Sequence, residues 1–145
     1  MANVLFLELG FPVLLVNARM VEVQGERVPD VNLRHLQEAA FRLLVGKPGR
    51  LSGSEVRFIR KYLRMRQADL AKVLNMANHS VVSQWESRGD EPAGMDYNTE
   101  VVLRIWMAAR VGLAERLLDL LERELKDLSS DGAREPLRIT MDEAA

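Results

Sequence analysis

At 145 residues, with 48% hydrophobic and 28% charged side chains, the chain is long enough to bury a genuine core and too apolar to remain disordered. No apolar run approaches the roughly 18 residues of a membrane helix, and the lack of cysteine excludes a disulfide framework and a thiolate zinc site, as a reducing cytoplasm would allow. The 20 basic and 21 acidic residues nearly cancel overall but divide unevenly: net −1 over residues 1–46, +4 over 47–110 and −4 over 111–145, so an anionic partner would be met in the middle.

The apolar start through Val16 lacks a basic leader, carries Glu8 and has no small-residue cleavage site after it, so it reads as extended core structure rather than a secretion signal. Between Val13 and Val28 apolar and polar residues partly alternate, punctuated by Asn17, Gly25 and Pro29, which predicts two short strands. After Asp30, a plausible N-cap, Leu33, Leu36, Ala40, Leu43 and Leu44 recur at helical spacing until Gly46, Pro48 and Gly49 interrupt them. The stretch Lys47 to Arg50 is therefore expected to be a linker, closing a small metal-free α+β module over residues 1–46.

Ser52-x-x-Glu55 is a capping box and predicts a helix running to about Met65. Val56, Ile59 and Leu63, broadened by Phe58 and Tyr62, form its apolar stripe, whereas Arg57, Arg60, Lys61 and Arg64 fall together as a basic ridge. From Gln67, two short apolar stripes follow: Leu70, Val73 and Leu74, then Val81, Val82 and Trp85. They predict two short helices joined by a tight turn. Ala71 is small enough to let the second helix cross closely, and Asn75 suits a turn that needs left-handed backbone. Asn78 or Ser80 can cap the second helix, which leaves His79, Ser80, Ser83 and Gln84 as a polar outer edge. Val82 and Trp85 share a face with Val81 and belong to the core.

Gln67-Ala-Asp-Leu-Ala71 and Val82-Ser-Gln-Trp-Glu86 resemble the Xre/Cro/phage-repressor type of helix-turn-helix over about 45 to 60 residues. With the preceding Lys47 to Leu63, the wider stretch from about Val13 to Ala109 is similar to the MqsA-type antitoxin regulators, in which a small N-terminal module precedes the same motif. That module usually carries a four-cysteine zinc site, and this chain has no cysteine. Two further departures are Asn75 at the usual turn glycine and one extra residue, placed at Ala77-Asn78. The resemblance implies a mainly α fold: a lambda-repressor-like helix-turn-helix bundle over residues 47–110, preceded by a β-hairpin and helix. It implies a cytoplasmic, sequence-specific DNA-binding regulator, a repressor and in one version the antitoxin of a toxin–antitoxin pair with a toxin as further partner, working on double-stranded DNA as a homodimer and without cofactor or membrane.

In that reading the helix from about Asn78 to Ser87 enters the major groove, with Asn78, His79, Ser80, Ser83 and Gln84 available to bases and Gln84 suited to a bidentate contact with adenine. Gln67 would touch the DNA backbone, and Arg57, Arg60, Lys61, Arg64, Arg66 and Arg88, with Lys47 and Arg50, form the pool for phosphates. Beyond Asp96, Val101, Val102, Leu103, Ile105 and Trp106 predict a well-buried helix, and past Gly112 the leucines from Leu113 to Leu128 predict an amphipathic one, suited to dimerisation or to folding back, within a third region over residues 111–145. Pro136 to Thr140 reads as a short edge strand.

Catalysis finds little support. Of the two histidines, His35 lies beside apolar neighbours without a partner and His79 belongs to the polar edge. No Gly-rich phosphate loop, metal-ligand spacing or Ser/His/Asp grouping appears. The competing reading is a protein-binding module, for a toxin or another partner, whose helix-turn-helix no longer contacts DNA.

Overall fold

The computed structural model describes residues 2–116, 119, 121–122 and 136–141. The chain opens with strand β1, Ala2–Phe6, which pairs antiparallel with β2, Val13–Ala18. Val13, Leu15 and Ala18 of β2 are fully buried. On its other side β2 pairs in parallel with β5, Leu137–Thr140, giving a three-stranded sheet of order β1-β2-β5. The segment Met20–Val23 (β3) and Glu26–Pro29 (β4) form a separate hairpin. Its connection, Gln24 and Gly25, has φ of 52° and 83°, the two positive angles that match a tight turn to strand twist.

Five α-helices accompany these five strands among the described residues. The expectation of a mainly α, lambda-repressor-like bundle is overturned: the fold is mixed α/β, with two sheets. The underestimate lies in the strands. Three strands, β2, β3 and β4, stand where two were expected between Val13 and Val28, and the start, expected only as extended structure, pairs as β1, whereas β5 falls within the edge strand expected at Pro136 to Thr140.

Helix α1, Leu33–Val45, is capped by Asn32, whose side chain accepts from the His35 N–H at 3.2 Å, rather than by Asp30. Leu36, Ala40, Phe41, Leu44 and Val45 face inward, whereas Leu33 and Leu43 stand 44% exposed. Helix α2, Gly53–Tyr62, starts at the expected capping box: the Glu55 N–H donates to Ser52 Oγ at 3.2 Å and the Ser52 N–H to Glu55 Oε1 at 2.8 Å. It stops short of Met65 because Arg64 turns the chain into left-handed backbone at φ 57°. Helix α3 is Gln67–Val73, α4 is Ser80–Glu86, and α5 is Tyr97–Arg110, capped by Asp96, whose side chain accepts from the Thr99 N–H at 2.7 Å.

One continuous hydrophobic core joins sheet and helices. Phe11 meets Phe58 of α2 edge-on at 5.1 Å between centroids, and Phe41 of α1 stacks on Tyr62 at 4.4 Å. The stretch Lys47–Arg50, expected as a linker, is held inside the molecule instead. Lys47 is buried and donates to Glu55 Oε1 at 2.7 Å. Arg104 of α5, fully buried, donates to the Lys47 carbonyl at 2.5 Å, the Gly49 carbonyl at 2.6 Å and Glu100 Oε2 at 2.7 Å. Burial pushes the Arg104 guanidinium below its ordinary value against the opposing pull of Glu100. Arg50 donates to Glu100 Oε1 at 3.1 Å and to the Met95 carbonyl. Lys47 and Arg50 are thereby removed from the pool of phosphate-binding cations.

Helix α5 is buried through Leu103, Arg104, Met107 and Ala108, while Val102 is 48% exposed and Ile105 and Trp106 are half-buried, so only part of its predicted apolar set points inward. Past Gly112, Ala114–Arg116 form a 3-10 turn; the amphipathic helix expected there lies for the most part outside the described residues.

Candidate nucleic-acid interface

The sequence Gln67 to Glu86 builds two short helices across the connection Leu74–His79. At the head of α3 the Arg66 N–H donates to Asp69 Oδ2 at 2.9 Å, satisfying a backbone donor that the helix cannot. Leu70, Ala71 and Leu74 are buried, and α3 packs against α4. Asn75 has φ 57°, the left-handed turn geometry that asparagine tolerates best after glycine, and the Met76 N–H closes the turn on the Ala71 carbonyl at 2.8 Å. Asn78 Oδ1 then accepts from the Ser80 N–H at 2.9 Å, a local turn bond one residue before His79, the N-cap position of α4, which makes no side-chain cap bond of its own.

Helix α4 divides cleanly into two faces. Val82 and Trp85 are buried, and the start of α2 lies against the end of α4: a Cβ at Gly53 would collide with the Trp85 carbonyl and lie 3.0 Å from the Gly89 nitrogen. Ser80, Ser83, Gln84 and Ser87 follow at i, i+3, i+4 and i+7, all exposed, with Asn78 and His79 exposed just before them. Ser87 spends its hydroxyl on the Gln84 backbone carbonyl at 2.7 Å, and the exposed Gln84 side-chain amide makes no hydrogen bond with any described residue. The edge can therefore offer hydroxyl, imidazole and amide groups, donors and acceptors alike, to an external partner.

The predicted basic ridge does not survive intact. Arg57, Lys61 and Arg64 are exposed, but Arg60 turns inward. It grips Glu86 of α4 with Nε to Oε2 at 2.7 Å and Nη2 to Oε1 at 3.0 Å, and donates through Nη1 to the Met65 carbonyl at 3.0 Å. With 13% and 7% of their side chains exposed, Arg60 and Glu86 are a structural tie between α2 and α4, not a free cation beside a groove. Gln67 is corrected in the same way: half-buried, it donates its amide to Glu86 Oε1 at 3.4 Å. A guanidinium and an amide turned inward satisfy a nearly buried carboxylate that would otherwise be costly.

Arg66 remains at the surface, 84% exposed, but shares Asp69 at 3.2 Å. The side-chain hydrogen bond from Arg66 holds the Asp69 carboxyl below its usual range, and Asp69 raises Arg66 in return. Arg88 is exposed past the end of α4. Lys72, exposed on α3 and absent from the predicted set, lines a shallow hollow with Met76, Asn78 and His79. Its signal was a lone basic residue off the Leu70 and Leu74 stripe. Glu86 was also missed as the hub of Arg60 and Gln67, since spacing alone does not pair residues on different helices.

Among the described residues no three His, Cys, Asp or Glu side chains gather as metal ligands, and no helix is long and apolar enough to cross a membrane. Scans against family models, curated proteins and solved structures return no match for this chain.

Proposed function

We propose that the chain is a sequence-specific DNA-binding transcriptional regulator that lays α4 in the major groove as the second helix of a helix-turn-helix. The observation that carries this reading is the two-faced α4: Val82 and Trp85 pin it to the body while His79, Ser80, Ser83 and Gln84 stand clear along the opposite edge. Gln84 is the residue for a bidentate adenine contact, and Arg57, Lys61, Arg64, Arg66, Lys72 and Arg88 supply phosphate contacts at the surface. The sequence likeness of Gln67–Ala71 and Val82–Glu86 to the Xre/Cro motif, and of the wider stretch to MqsA-type antitoxins, supports the same reading and makes repression, with a toxin as further partner, its natural biological form. A two-fold dimer would read half-sites about 34 Å apart.

Selection of bound duplexes from a random oligonucleotide pool at fixed salt tests this. A recovered motif, with affinity that falls steeply as salt rises, is the expected result. Recovery of random sequence, or no retention at low salt, refutes it. The second reading, a docking module for a protein partner, draws on the inward turn of Arg60 and Gln67, which leaves the polar edge with fewer free cations than its sequence promised.

A further inference from the structure

A second cleft shares no lining residue with the α4 edge. Between α1 and α2 opens a cleft of about 530 Å³, within the roughly 300–1,000 Å³ typical of small-molecule sites. Leu9, Phe58 and Tyr62 form its apolar lining. These walls are fixed in place: Phe58 is held by Phe11, and Tyr62 stacks on Phe41 at an interplanar angle of 24°. Arg34 and Gln37 of α1 and Lys61 and Arg64 from α2 and its exit supply the polar lining, with no carboxylate among the lining residues. None of these four polar side chains makes a hydrogen bond or ion pair with any described residue.

Arg64 adds an independent observation. It occupies left-handed backbone directly after the C-cap of α2, where glycine or asparagine is the unstrained choice. The turn is held by the Arg64 N–H donating to the Lys61 carbonyl at 3.0 Å and by the bond from Arg60 to the Met65 carbonyl. A strained position filled by arginine, beside two more unpaired cations, is a local cost with no return in the fold's own contacts.

We propose that this cleft binds a small organic phosphate of mononucleotide size. Three cations without an acid leave a monocarboxylate's single charge undersupplied, whereas a phosphate monoester brings about −1.5 to −2 and three acceptor oxygens for guanidinium and ammonium donors. Leu9, Phe58 and Tyr62 then shelter its apolar or ring portion. Lys61 and Arg64 also stand in the set proposed for duplex phosphates, but Arg34 and Gln37 do not, so the inference does not depend on DNA binding.

Calorimetric titration of the full chain tests it, with AMP, GMP, CMP and UMP set against adenosine and inorganic phosphate. At least one monophosphate should bind one site about tenfold more tightly than phosphate or adenosine alone, and Arg34→Gln should weaken it about tenfold at an unchanged melting temperature. All four monophosphates binding no better than inorganic phosphate, or Arg34→Gln binding like the parent, overturns the proposal. Duplex binding of Arg34→Gln, measured in parallel, should equal the parent's and reports on the DNA reading separately.

Discussion

Two exposed side chains on different helices separate what a groove-binding surface must do. Gln84, with its amide uncommitted, should carry discrimination: Gln84→Ala is expected to narrow the gap between the selected duplex and random duplex by about 1–3 kcal/mol. Arg57→Ala should instead weaken binding to every duplex alike and reduce the salt slope by about one. Filter-binding titrations of both variants over a salt series check the pair, and equal affinity of both for all duplexes would remove α4 from the proposed role. Arg60 behaves differently from its helical neighbours despite sharing their spacing. Arg60→Ala strips charged hydrogen bonds from Glu86 and should cost about 1.5–3 kcal/mol in urea denaturation, before any question of DNA arises. That contrast marks the limit of reading residues from pattern. The outward edge of α4 and the inward Trp85 were legible because burial there follows one helix's own period. Whether an arginine meets water or a buried carboxylate depends on Glu86, supplied by another helix, and no local spacing encodes it.

At the scale of the elements, the tightest constraint is the approach of α2 to α4. Gly53→Ala places a methyl group against the backbone at Trp85 and Gly89, neither of which is a flexible side chain that can swing aside. Overpacking of this kind costs about 1–3 kcal/mol. Because the displaced element would be α4 itself, Gly53→Ala should lower the melting temperature and duplex affinity together, unlike Gln84→Ala, which should lower affinity alone. Thermal denaturation and binding measured on the same preparations distinguish them. Helix starts were the most legible elements, since Ser52 with Glu55 announces α2 within one turn of chain. The turn at Asn75 was legible for the same reason: its φ of 57° is a property of one residue type at one bend. Helix ends were not, although the short strand at Pro136 to Thr140 was. α2 gives way at Arg64, a residue with no breaker character, and Ala2–Phe6 becomes a strand only because Val13–Ala18 returns beside it.

For the molecule as a whole, Arg104 explains why a stretch rich in Gly and Pro does not divide it. Its guanidinium gathers the Lys47 and Gly49 carbonyls to α5 and meets Glu100, which in turn receives Arg50 Nε and the Leu51 N–H. Arg104→Met keeps much of the apolar stem but abandons these acceptors in the interior, and should cost about 3–5 kcal/mol. Hydrogen exchange should show faster exchange at the Leu51 amide; protection unchanged there would mean that the segment is held by packing alone. A linker prediction fails here for a clear reason. Gly46, Pro48 and Gly49 carry real turn propensity, yet propensity describes the backbone's bends and not the side chain that later fastens them.

The parallel pairing of Val13–Val16 with Leu137–Thr140 bears on how the protein is made. Synthesis runs from the amino end, so β2 emerges early and waits with one side bare while residues 19–136 are translated. Leu137 and Ile139, both buried, arrive more than a hundred residues after it. Helices α1 to α5 all precede β5 in the chain and can form first, and the sheet is sealed only once β5 has left the ribosome. Until then the nascent protein exposes an open strand that a chaperone, or another unfinished copy, could occupy.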